Sequence, residues 1–380
     1  MDNERRSGEA CGVGIVGMGV YLPATVRDNT YWGDGDTGGD AEAAAASDKV
    51  DLDDDVLASA ERAAKRRERG IDTEVIEHSA RWASDPFRGA RQRHVIGHDE
   101  QPSDMEVVAA QQALADAGLD AGDIDLMIIF SQVNDFAGPL NHVIVARKLG
   151  LGHHATAFTL VSDCASFVPH LNVAARMLQA GDHRHALLIQ SSALSRVTDY
   201  RMPASLNVGD GAVATVLARV EPGRGFIGSK QQTRADLSGG LRLAPSRSDA
   251  PWYRGDLHQQ ALTVHTVDRR ALVVMGTRAA TFCREVCEPL LEQHGYGADA
   301  VDFFVVSQPT VWFAEACCDA LGIARERTLT TFQTCGHLMP ASLPLNLHRA
   351  RAEGKTPPGS LTLLYSPGAG FIQAAMLYRW

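Results

Sequence analysis

Buried-strand patterns alternate with helix patterns along most of the chain. The apolar run Ile124–Phe130 follows a helix-patterned stretch, Val107–Ala117, for which Ser103 is the predicted N-cap residue. A second helix pattern, Asn141–Leu149, leads to another apolar run, Ala157–Val161. Alternation of this kind is typical of mostly parallel sheets covered by helices, so the predicted fold class is α/β.

The second half of the chain repeats this order of elements. Val301–Gln308 matches Ile124–Gln132, and Thr328–His337, predicted to be a strand that ends in a turn, matches the strand and turn before the first-half helix. Two matched stretches in the same order indicate a duplicated α/β unit. We expect one half over residues 1–222 and the other over residues 223–380.

Three residues with useful chemistry, Cys164, Ser307 and His337, follow predicted strands in the two halves. Ligands of open α/β sheets bind at the carboxyl ends of strands, so these residues are predicted to converge on one site.

Cys164 lies between the apolar run Ala157–Val161 and the helix pattern Val168–Leu178. The unpaired N–H groups and the positive dipole end of a helix favour a thiolate, which is the attacking form of cysteine. The competing interpretation is a small apolar core residue, which is the commoner role of a cysteine.

The segment after the first strand differs in composition from the rest. Gly33–Asp55 is rich in Gly, Ala and Asp, which predicts a surface insertion that extends to about residue 90. Within it, Val56–Arg69 is a predicted helix with a basic face, and a second basic cluster follows at Arg88, Arg91 and Arg93. In an otherwise acidic chain these clusters are candidates for contact with an acidic partner.

Composition excludes several classes of protein. The chain of 380 residues has 45% hydrophobic and 22% charged residues, as soluble globular proteins do. Its net charge of −10 argues against nucleic-acid binding, and no run is long enough to span a membrane. Seven scattered cysteines indicate reduced thiols and a cytoplasmic location. Cys283 and Cys287 lack an accompanying His cluster, so no metal site is expected.

The chain resembles the thiolase-fold condensing enzymes, and most of all the β-ketoacyl-acyl-carrier-protein synthase III group. The stretches that carry this resemblance span nearly the whole chain: Gly17–Pro23, the Cys164 turn, Gly209–Ala212, Met275-Gly276, Gly336–Pro344 and Tyr365–Phe371, before a terminal strand that ends at Trp380. The resemblance implies a thiolase-like duplicated α/β unit with α-β-α-β-α layers.

The family uses a Cys-His-Asn site, which this chain alters at two positions. Cys164 matches the nucleophile, preceded by Asp163 where the family usually has a small residue. The family's His-Gln-Ala-Asn motif is Ser307–Thr310 here, and the asparagine of its Gly-Asn-Thr motif is His337. The His and Asn of the family polarise a malonyl thioester during decarboxylation, so their loss removes donors for the enolate.

The altered site still offers a base. His337 is predicted to deprotonate either Cys164 or an incoming hydroxyl or amine, and the alternative is a core histidine. Ser307 is a second catalytic candidate that could equally be a space-filling residue. By match with the family, the backbone amides of Cys164 and of Gly368 or Ala369 bind the oxyanion.

The resemblance also bears on ligands and partners. The family stacks coenzyme A on a tryptophan after an Asp-Thr pair, but Asp72-Thr73 is followed by Glu74–Ile76, which leaves only Trp82 as a substitute. This favours a donor thioester on the phosphopantetheine of an acyl carrier protein, with coenzyme A as the alternative donor, and we expect no resident cofactor.

An acidic carrier would meet the basic clusters Arg62–Arg69 or Arg88–Arg93. Thr310 and Asp163 are predicted to line the substrate pocket, and Phe136 to enter the partner's pocket in a homodimer.

Three hypotheses follow. The leading one is an acyltransferase of specialised metabolism, such as antibiotic or polyketide biosynthesis, which passes an acyl group from Cys164 to a hydroxyl or amine without decarboxylation. The second is a carbon–carbon-forming synthase in which His337 is the rearranged base. The third is a non-catalytic partner of an active homologue, which the retention of Cys164 argues against.

Overall fold

The computed structural model describes residues 11–32, 69–200, 203–245, 251 and 262–380. The predicted insertion Gly33–Asp55 and all of the predicted helix Val56–Arg69 except Arg69 lie outside these ranges. Across the described ranges, every helix is too short or too polar to cross a bilayer.

The described strands, in chain order, are β1 (Gly12–Tyr21), β2 (Thr25–Asp28), β3 (Gln92–Val95), β4 (Leu126–Ser131), β5 (Thr156–Thr159), β6 (His185–Ser192), β7 (Gly211–Val220), β8 (Gly225–Thr233), β9 (Arg242–Ala244), β10 (Thr263–His265), β11 (Phe303–Val306), β12 (Leu361–Gly368) and β13 (Ile372–Arg379). The described helices are α1 (Thr73–Ala80), α2 (Pro102–Ala117), α3 (Asn141–Leu149), α4 (Phe167–Ala180), α5 (Arg269–Thr277), α6 (Ala279–Gln293), α7 (Phe313–Leu321), α8 (Phe332–Cys335) and α9 (Ser342–Ala352).

Each half of the chain contributes one main sheet. The first sheet has the order β1-β7-β6-β4-β5 and the second the order β11-β12-β13-β8. In both sheets parallel and antiparallel pairs are mixed: β4 runs parallel to β5 and β6, and β11 parallel to β12, whereas β7 and β13 run antiparallel to their neighbours. The strands of the first sheet end by Val220, and those of the second begin at Gly225.

Alternate residues of β4 face different helical layers. Leu126 and Ile128 belong to the core around α4, which lies between the two sheets with α9, whereas Met127 and Ile129 pack on α2 and α3 outside the first sheet. Helices α6 and α7 cover the outer face of the second sheet. The layers are therefore α-β-α-β-α, and the predicted thiolase-like α/β fold is confirmed.

Two predicted element boundaries in the first half are wrong by a few residues. Helix α2 starts at Pro102 with Gln101 as its N-cap, because Gln101 and Asp104 form a reciprocal capping box, and Ser103 lies inside the first turn. Strand β4 begins at Leu126 rather than Ile124, since a short turn ends at Ile124.

The strand predicted at the start of Thr328–His337 is also wrong. Residues 328–331 precede the one-turn helix α8 and form no strand. The Thr331 N–H donates to Gln308 Oε1 over 2.9 Å, and the Asn346 side-chain oxygen accepts a 3.0 Å bond from the Thr331 hydroxyl.

The described part of the predicted insertion is not a surface feature. Helix α1 buries Val75 and Ile76 and packs against α7 of the second half. His78 is 1% exposed, and its Nε2 lies 2.6 Å from an Asp319 carboxylate oxygen. Residues 69–90 are therefore part of the core assembly, because a buried histidine and two apolar side chains anchor them.

Candidate active site

A cavity of about 820 Å³ opens between the two halves of the chain. The first half contributes Asp163, Cys164 and Asn207 to its wall, and the second half contributes Thr310 and His337. Most of the other lining side chains are apolar. The cavity thus brings together residues that are far apart in the sequence, as the convergence of strand ends predicts.

Cys164 occupies a tight turn, Asp163–Ala165, ahead of α4. Asp163 adopts a positive φ of 47°, which is unusual for a residue with a side chain. Ser166 braces the turn, since its Oγ donates to the Asp163 carbonyl over 2.7 Å, and the Ser366 hydroxyl of β12 donates to the Cys164 carbonyl over 2.9 Å. The second half of the chain therefore fixes the turn that carries the first half's cysteine.

The predicted thiolate at Cys164 is wrong. Burial and then the neighbouring Asp163 carboxylate raise the pKa of this thiol to about 12. The N–H groups of Ala369 and of Cys164 itself act in the opposite direction but are outweighed. Cys164 also precedes the first residue of α4, Phe167, so it is not part of the helix end. Such a thiol is neutral at rest, so it would need a base in order to act as a nucleophile.

A glycine permits the C-terminal loop to approach the cysteine turn. A Cβ added at Gly368 would lie 2.7 Å from the Ser162 carbonyl oxygen and 3.2 Å from the Ala165 nitrogen, so a side chain there would clash with the backbone. The N–H groups of the next residue, Ala369, and of Cys164 lie close enough to the Cys164 sulfur to act on its pKa. Both amides are predicted oxyanion donors, and both lie at this sulfur.

His337 lines the same cavity and is held by two hydrogen bonds. Its backbone N–H donates to the Asn207 carbonyl over 2.6 Å, and its ring nitrogen Nδ1 lies 2.9 Å from Ser342 Oγ. The preceding Gly336 has a φ of +68°, and a Cβ there would lie 2.7 Å from the Asn207 oxygen, so this close approach requires glycine. Burial lowers the pKa of His337 to about 4, which makes the ring neutral at pH 7.

The other ring nitrogen of His337, Nε2, has no hydrogen-bond partner among the described residues. His337 is 8% exposed, and that exposure is to the cavity. A neutral imidazole with one unpaired nitrogen can act there as a base or as a donor, depending on which nitrogen carries the hydrogen.

Ser307 does not share this cavity. It directly follows β11, is 0% exposed, and its hydroxyl has no hydrogen-bond partner among the described residues. The described lining of the cavity includes Pro309 and Thr310 but not Ser307. Its side chain points into packed protein and does not reach the cavity, so the catalytic role of Ser307 stays a prediction.

The remaining predicted site residues divide between the cavity and the surface. Asp163 and Thr310 line the cavity, whereas Phe136 is 53% exposed and outside it. Arg93 is 0% exposed and donates to the Leu206 carbonyl over 2.6 Å, so it cannot meet a docking partner as the basic cluster predicts. Trp82 packs on a small apolar cluster rather than facing the cavity.

Two cavity residues were missed by the sequence analysis. The Met339 sulfur lies 3.9 Å from the Cys164 sulfur, and the Asn207 side chain lines the wall near His337. Asn207 comes shortly before the Gly209-Asp-Gly211 turn, which is part of a family motif. Its closeness to that motif is the feature of the sequence that could have identified it.

Comparison with known proteins agrees with the architecture. A solved 3-oxoacyl-[acyl-carrier-protein] synthase III from Aquifex aeolicus is 23% identical, covers 97% of this chain and 100% of its own, and superimposes with a TM-score of 0.73. The priming β-ketosynthase of the R1128 polyketide pathway is 22% identical, with 99% and 98% coverage and a TM-score of 0.74. At these identities the likeness establishes the fold.

Sequence comparisons identify the family to which the chain belongs. The family model for 3-oxoacyl-[acyl-carrier-protein (ACP)] synthase III matches residues 158–235, and the model for its C-terminal region matches residues 291–380. The β-ketoacyl-[acyl-carrier-protein] synthase III of Solibacter usitatus is 30% identical over 312 residues, which are 80% of this chain and 92% of that protein. This chain therefore belongs to the β-ketoacyl-acyl-carrier-protein synthase III family of enzymes.

Proposed function

We propose that this chain is a cysteine acyltransferase that takes an acyl group from a carrier-protein thioester onto Cys164 and passes it to a hydroxyl or amine without decarboxylation. The observation that carries this proposal is the altered pair of polar partners: Ser307 is withdrawn from the cavity, and an imidazole, His337, lines the same cavity as Cys164.

The two half-reactions each need one proton transfer. In the first, the Cys164 thiol loses its proton to His337 Nε2 as sulfur attacks the donor carbonyl, and the released carrier thiol takes that proton. In the second, the acceptor loses its proton as it attacks the acyl carbon, and the proton returns to the Cys164 sulfur. The N–H groups of Cys164 and Ala369 would bind the negative oxygen in both steps.

Decarboxylation of a malonyl thioester is disfavoured by the same cavity. The enolate needs hydrogen-bond donors, and Ser307 supplies none to the cavity. The Asp163 carboxylate on the cavity wall would also repel a malonyl carboxylate.

The base role of His337 requires one particular tautomer. If Nδ1 carries the hydrogen and donates to Ser342 Oγ, Nε2 keeps its lone pair on the cavity side. In the opposite tautomer the Ser342 hydroxyl donates to Nδ1, and the Nε2 hydrogen becomes a donor for a carbonyl or enolate oxygen. That second arrangement would replace the family's asparagine and favours the alternative function, a carbon–carbon-forming synthase, which is also the activity named for the relatives.

The donor and the quaternary state are part of the proposal. An acyl carrier protein is the donor because relatives carry that partner in their names, and exposed Arg88 and Arg91 can meet an acidic surface. Exposed Phe136 supports a homodimer in which this loop meets the partner subunit. Sedimentation at micromolar concentration should give a dimer mass, and a monomer would contradict it.

The enzyme test uses intact-protein mass spectrometry. Incubation with butyryl and malonyl thioesters of an acyl carrier protein should add a butyryl mass to Cys164 and release little carbon dioxide from the malonyl donor. Subsequent addition of alcohols or amines should remove the acyl mass and yield ester or amide. Efficient malonyl decarboxylation by the wild-type protein would favour the condensing alternative, and no acylation with any donor would favour a non-catalytic partner.

A further inference from the structure

The sulfur of Met339 occupies one side of the Cys164 sulfur. The two sulfur atoms are 3.9 Å apart, and both side chains line the cavity and are only half-buried, so a ligand in the cavity can reach them. Heavy atoms about 3.5 to 4.0 Å apart are in van der Waals contact, which leaves no room for a further atom between these sulfurs. An acyl group bonded to Cys164 therefore has to extend away from Met339.

The backbone holds the Met339 side chain in this position. Its φ of +49° is uncommon for a residue with a side chain, and such a conformation persists where the surrounding structure enforces it. The Leu338 N–H donates to Ser342 Oγ over 2.8 Å, and the Ala341 N–H donates to the Leu338 carbonyl over 3.0 Å. Leu338 and Ala341 are fully buried in the core between the two sheets. The turn that carries Met339 is therefore anchored on both sides of this residue.

A second side of the Cys164 sulfur is needed for the acyl oxygen. The N–H groups of Cys164 and Ala369 lie at this sulfur and are the proposed donors to that oxygen. With the oxygen directed to these amides and Met339 in contact on another side, the carbon chain has to leave in the remaining direction. A chain that is unbranched at its α-carbon, the atom next to the carbonyl, needs this direction alone. A second substituent on the α-carbon is brought against the Met339 thioether.

The rest of the cavity imposes no comparable limit. Its volume of about 820 Å³ lies within the range of about 300 to 1,000 Å³ that ligand pockets span, and most of its lining is apolar. Chains of different length, or with a branch further from the carbonyl, can therefore be accommodated. The tight contact is confined to the first atoms beyond the Cys164 sulfur.

We propose that Met339 is a specificity-determining residue that restricts the acyl group on Cys164 to chains unbranched at the α-carbon. This inference rests on the acyltransferase function proposed above and adds the class of acyl group that this function transfers.

Three isomeric acyl groups test the proposal: valeryl, 3-methylbutyryl and 2-methylbutyryl. They have equal mass and differ only in the position of the branch. Each is supplied as its acyl-carrier-protein thioester, and the rate at which its mass appears on Cys164 is measured in a single turnover. In the wild-type protein, acylation by valeryl and by 3-methylbutyryl should be similar, and acylation by 2-methylbutyryl should be slower by at least about tenfold, a usual effect of one misplaced methyl group in a pocket.

Substitutions of Met339 separate this steric effect from the intrinsic reactivity of the thioesters, which is the same for every protein variant. Met339→Gly should lower the ratio of the valeryl rate to the 2-methylbutyryl rate by about tenfold or more, because it removes the thioether. A φ of +49° suits glycine, so this variant should keep its fold. Met339→Leu keeps a side chain of similar volume and should retain the wild-type ratio.

Met275→Ala is the control for loss of a thioether elsewhere on the cavity wall. Met275 also lines the cavity, but its sulfur packs against Gly240, where an added Cβ would lie 2.5 Å from it. This variant should leave the ratio of the two acylation rates unchanged. A wild-type ratio in Met339→Gly, or an equal fall of the ratio in Met275→Ala, would overturn the inference while leaving the acyltransferase function intact.

A second readout does not require acyl transfer. Iodoacetamide and 2-iodopropanamide both alkylate thiols and differ by one methyl group on the reacting carbon, and peptide mapping gives their rates at each cysteine. Cys11 is also partly exposed but lies outside the cavity, so it reports the intrinsic ratio of the two rates within the same protein. The ratio at Cys164 should exceed the ratio at Cys11 by at least about tenfold, and should approach it in Met339→Gly.

The alkylation result distinguishes the two proposals. If no donor acylates Cys164 but alkylation shows the expected difference, the acyltransferase function fails while the steric role of Met339 stands. Equal alkylation ratios at Cys164 and Cys11 in the wild-type protein would reject the role of Met339.

Discussion

His170 in the first half and His337 in the second are both buried histidines, and burial lowers the pKa of each to about 4. They differ in how their ring nitrogens are satisfied. His170 lies in α4 with Nε2 donating to the Leu160 carbonyl over 2.7 Å and Nδ1 bound to the Gln190 amide over 2.9 Å. His337 has one nitrogen bound to Ser342 and the other open to the cavity.

A histidine whose two ring nitrogens are both paired, as in His170, fits a structural role, whereas the proposed function assigns a chemical role to His337. Burial and the pKa shift are the same in both, so neither property identifies the functional residue. The difference lies in the unpaired Nε2 of His337 and in the cavity that it shares with Cys164. Substitutions can test this distinction, beginning with Cys164, the thiol that His337 would activate.

The largest effect is expected from Cys164→Ala, which removes the sulfur that would carry the acyl group in the proposed reaction. Acylation measured by intact mass should disappear, while circular dichroism should be unchanged because the substitution is small. Cys11→Ala is the matched control, since Cys11 is also not fully buried but lies outside the cavity. A Cys164→Ala protein that turns over at the wild-type rate would show that Cys164 is not the nucleophile.

The next largest difference in transfer rate is expected between substitutions of the two histidines. His337→Ala should slow acyl transfer by about 10²- to 10⁴-fold, the usual effect of removing a positioned base, whereas His170→Gln should leave transfer near the wild-type rate. Single-turnover kinetics will assign the loss to acylation if His337 activates Cys164, and to deacylation if it activates the acceptor.

His337→Asn distinguishes base from donor, because asparagine can donate a hydrogen bond but cannot accept a proton at neutral pH. A fall in the transfer rate equal to that of His337→Ala supports the role of His337 as a base. Activity retained by the asparagine variant would contradict it and favour the synthase with a hydrogen-bond donor at this position.

Acid stability should show what the two histidines share. The pKa of each ring is about 4 in the folded protein and about 6.5 in the unfolded chain, so the unfolded chain binds protons first as the pH falls. Each histidine should contribute full stability above pH ~6.5 and lose about 3 kcal/mol of unfolding free energy as the pH falls towards 4. Urea unfolding across this range should show a shallower decline for His170→Gln than for the wild type. An unchanged slope would mean that burial does not hold this imidazole neutral.

The smallest effect is expected at Ser307, whose hydroxyl has no hydrogen-bond partner among the residues that the structure describes. Ser131, at the matched position of the first half, does have a hydrogen-bonded hydroxyl. Ser307→Ala should leave the transfer rate unchanged and change the unfolding free energy by no more than about 1 kcal/mol, because it removes an unsatisfied group. Ser131→Ala should lower the unfolding free energy by about 1 to 3 kcal/mol, since Ser131 Oγ donates to the buried Glu106 carboxylate over 2.5 Å. A large loss of activity in Ser307→Ala would restore Ser307 as a catalytic residue.

The sequence by itself determined the fold class, the order of most elements and the residues that replace the family's polar pair. Periodicity sufficed for β4 and α3 because their apolar positions are set by local geometry, and family motifs located Cys164 and His337. The missing strand at 328–331 was not predictable, since the hydrogen bonds that replace it come from Gln308 and Asn346, which are distant in the sequence.

Tertiary structure alone decided the protonation and accessibility of the site residues. The position of Cys164 ahead of a helix predicts a thiolate. Enclosure by both halves of the chain and the charge of Asp163 instead raise the pKa of the thiol. Ser307 and His337 both follow matched segments, yet packing turns one side chain into the core and the other into the cavity. Desolvation and the direction of a side chain depend on atoms from the whole fold, which no local pattern of residues specifies.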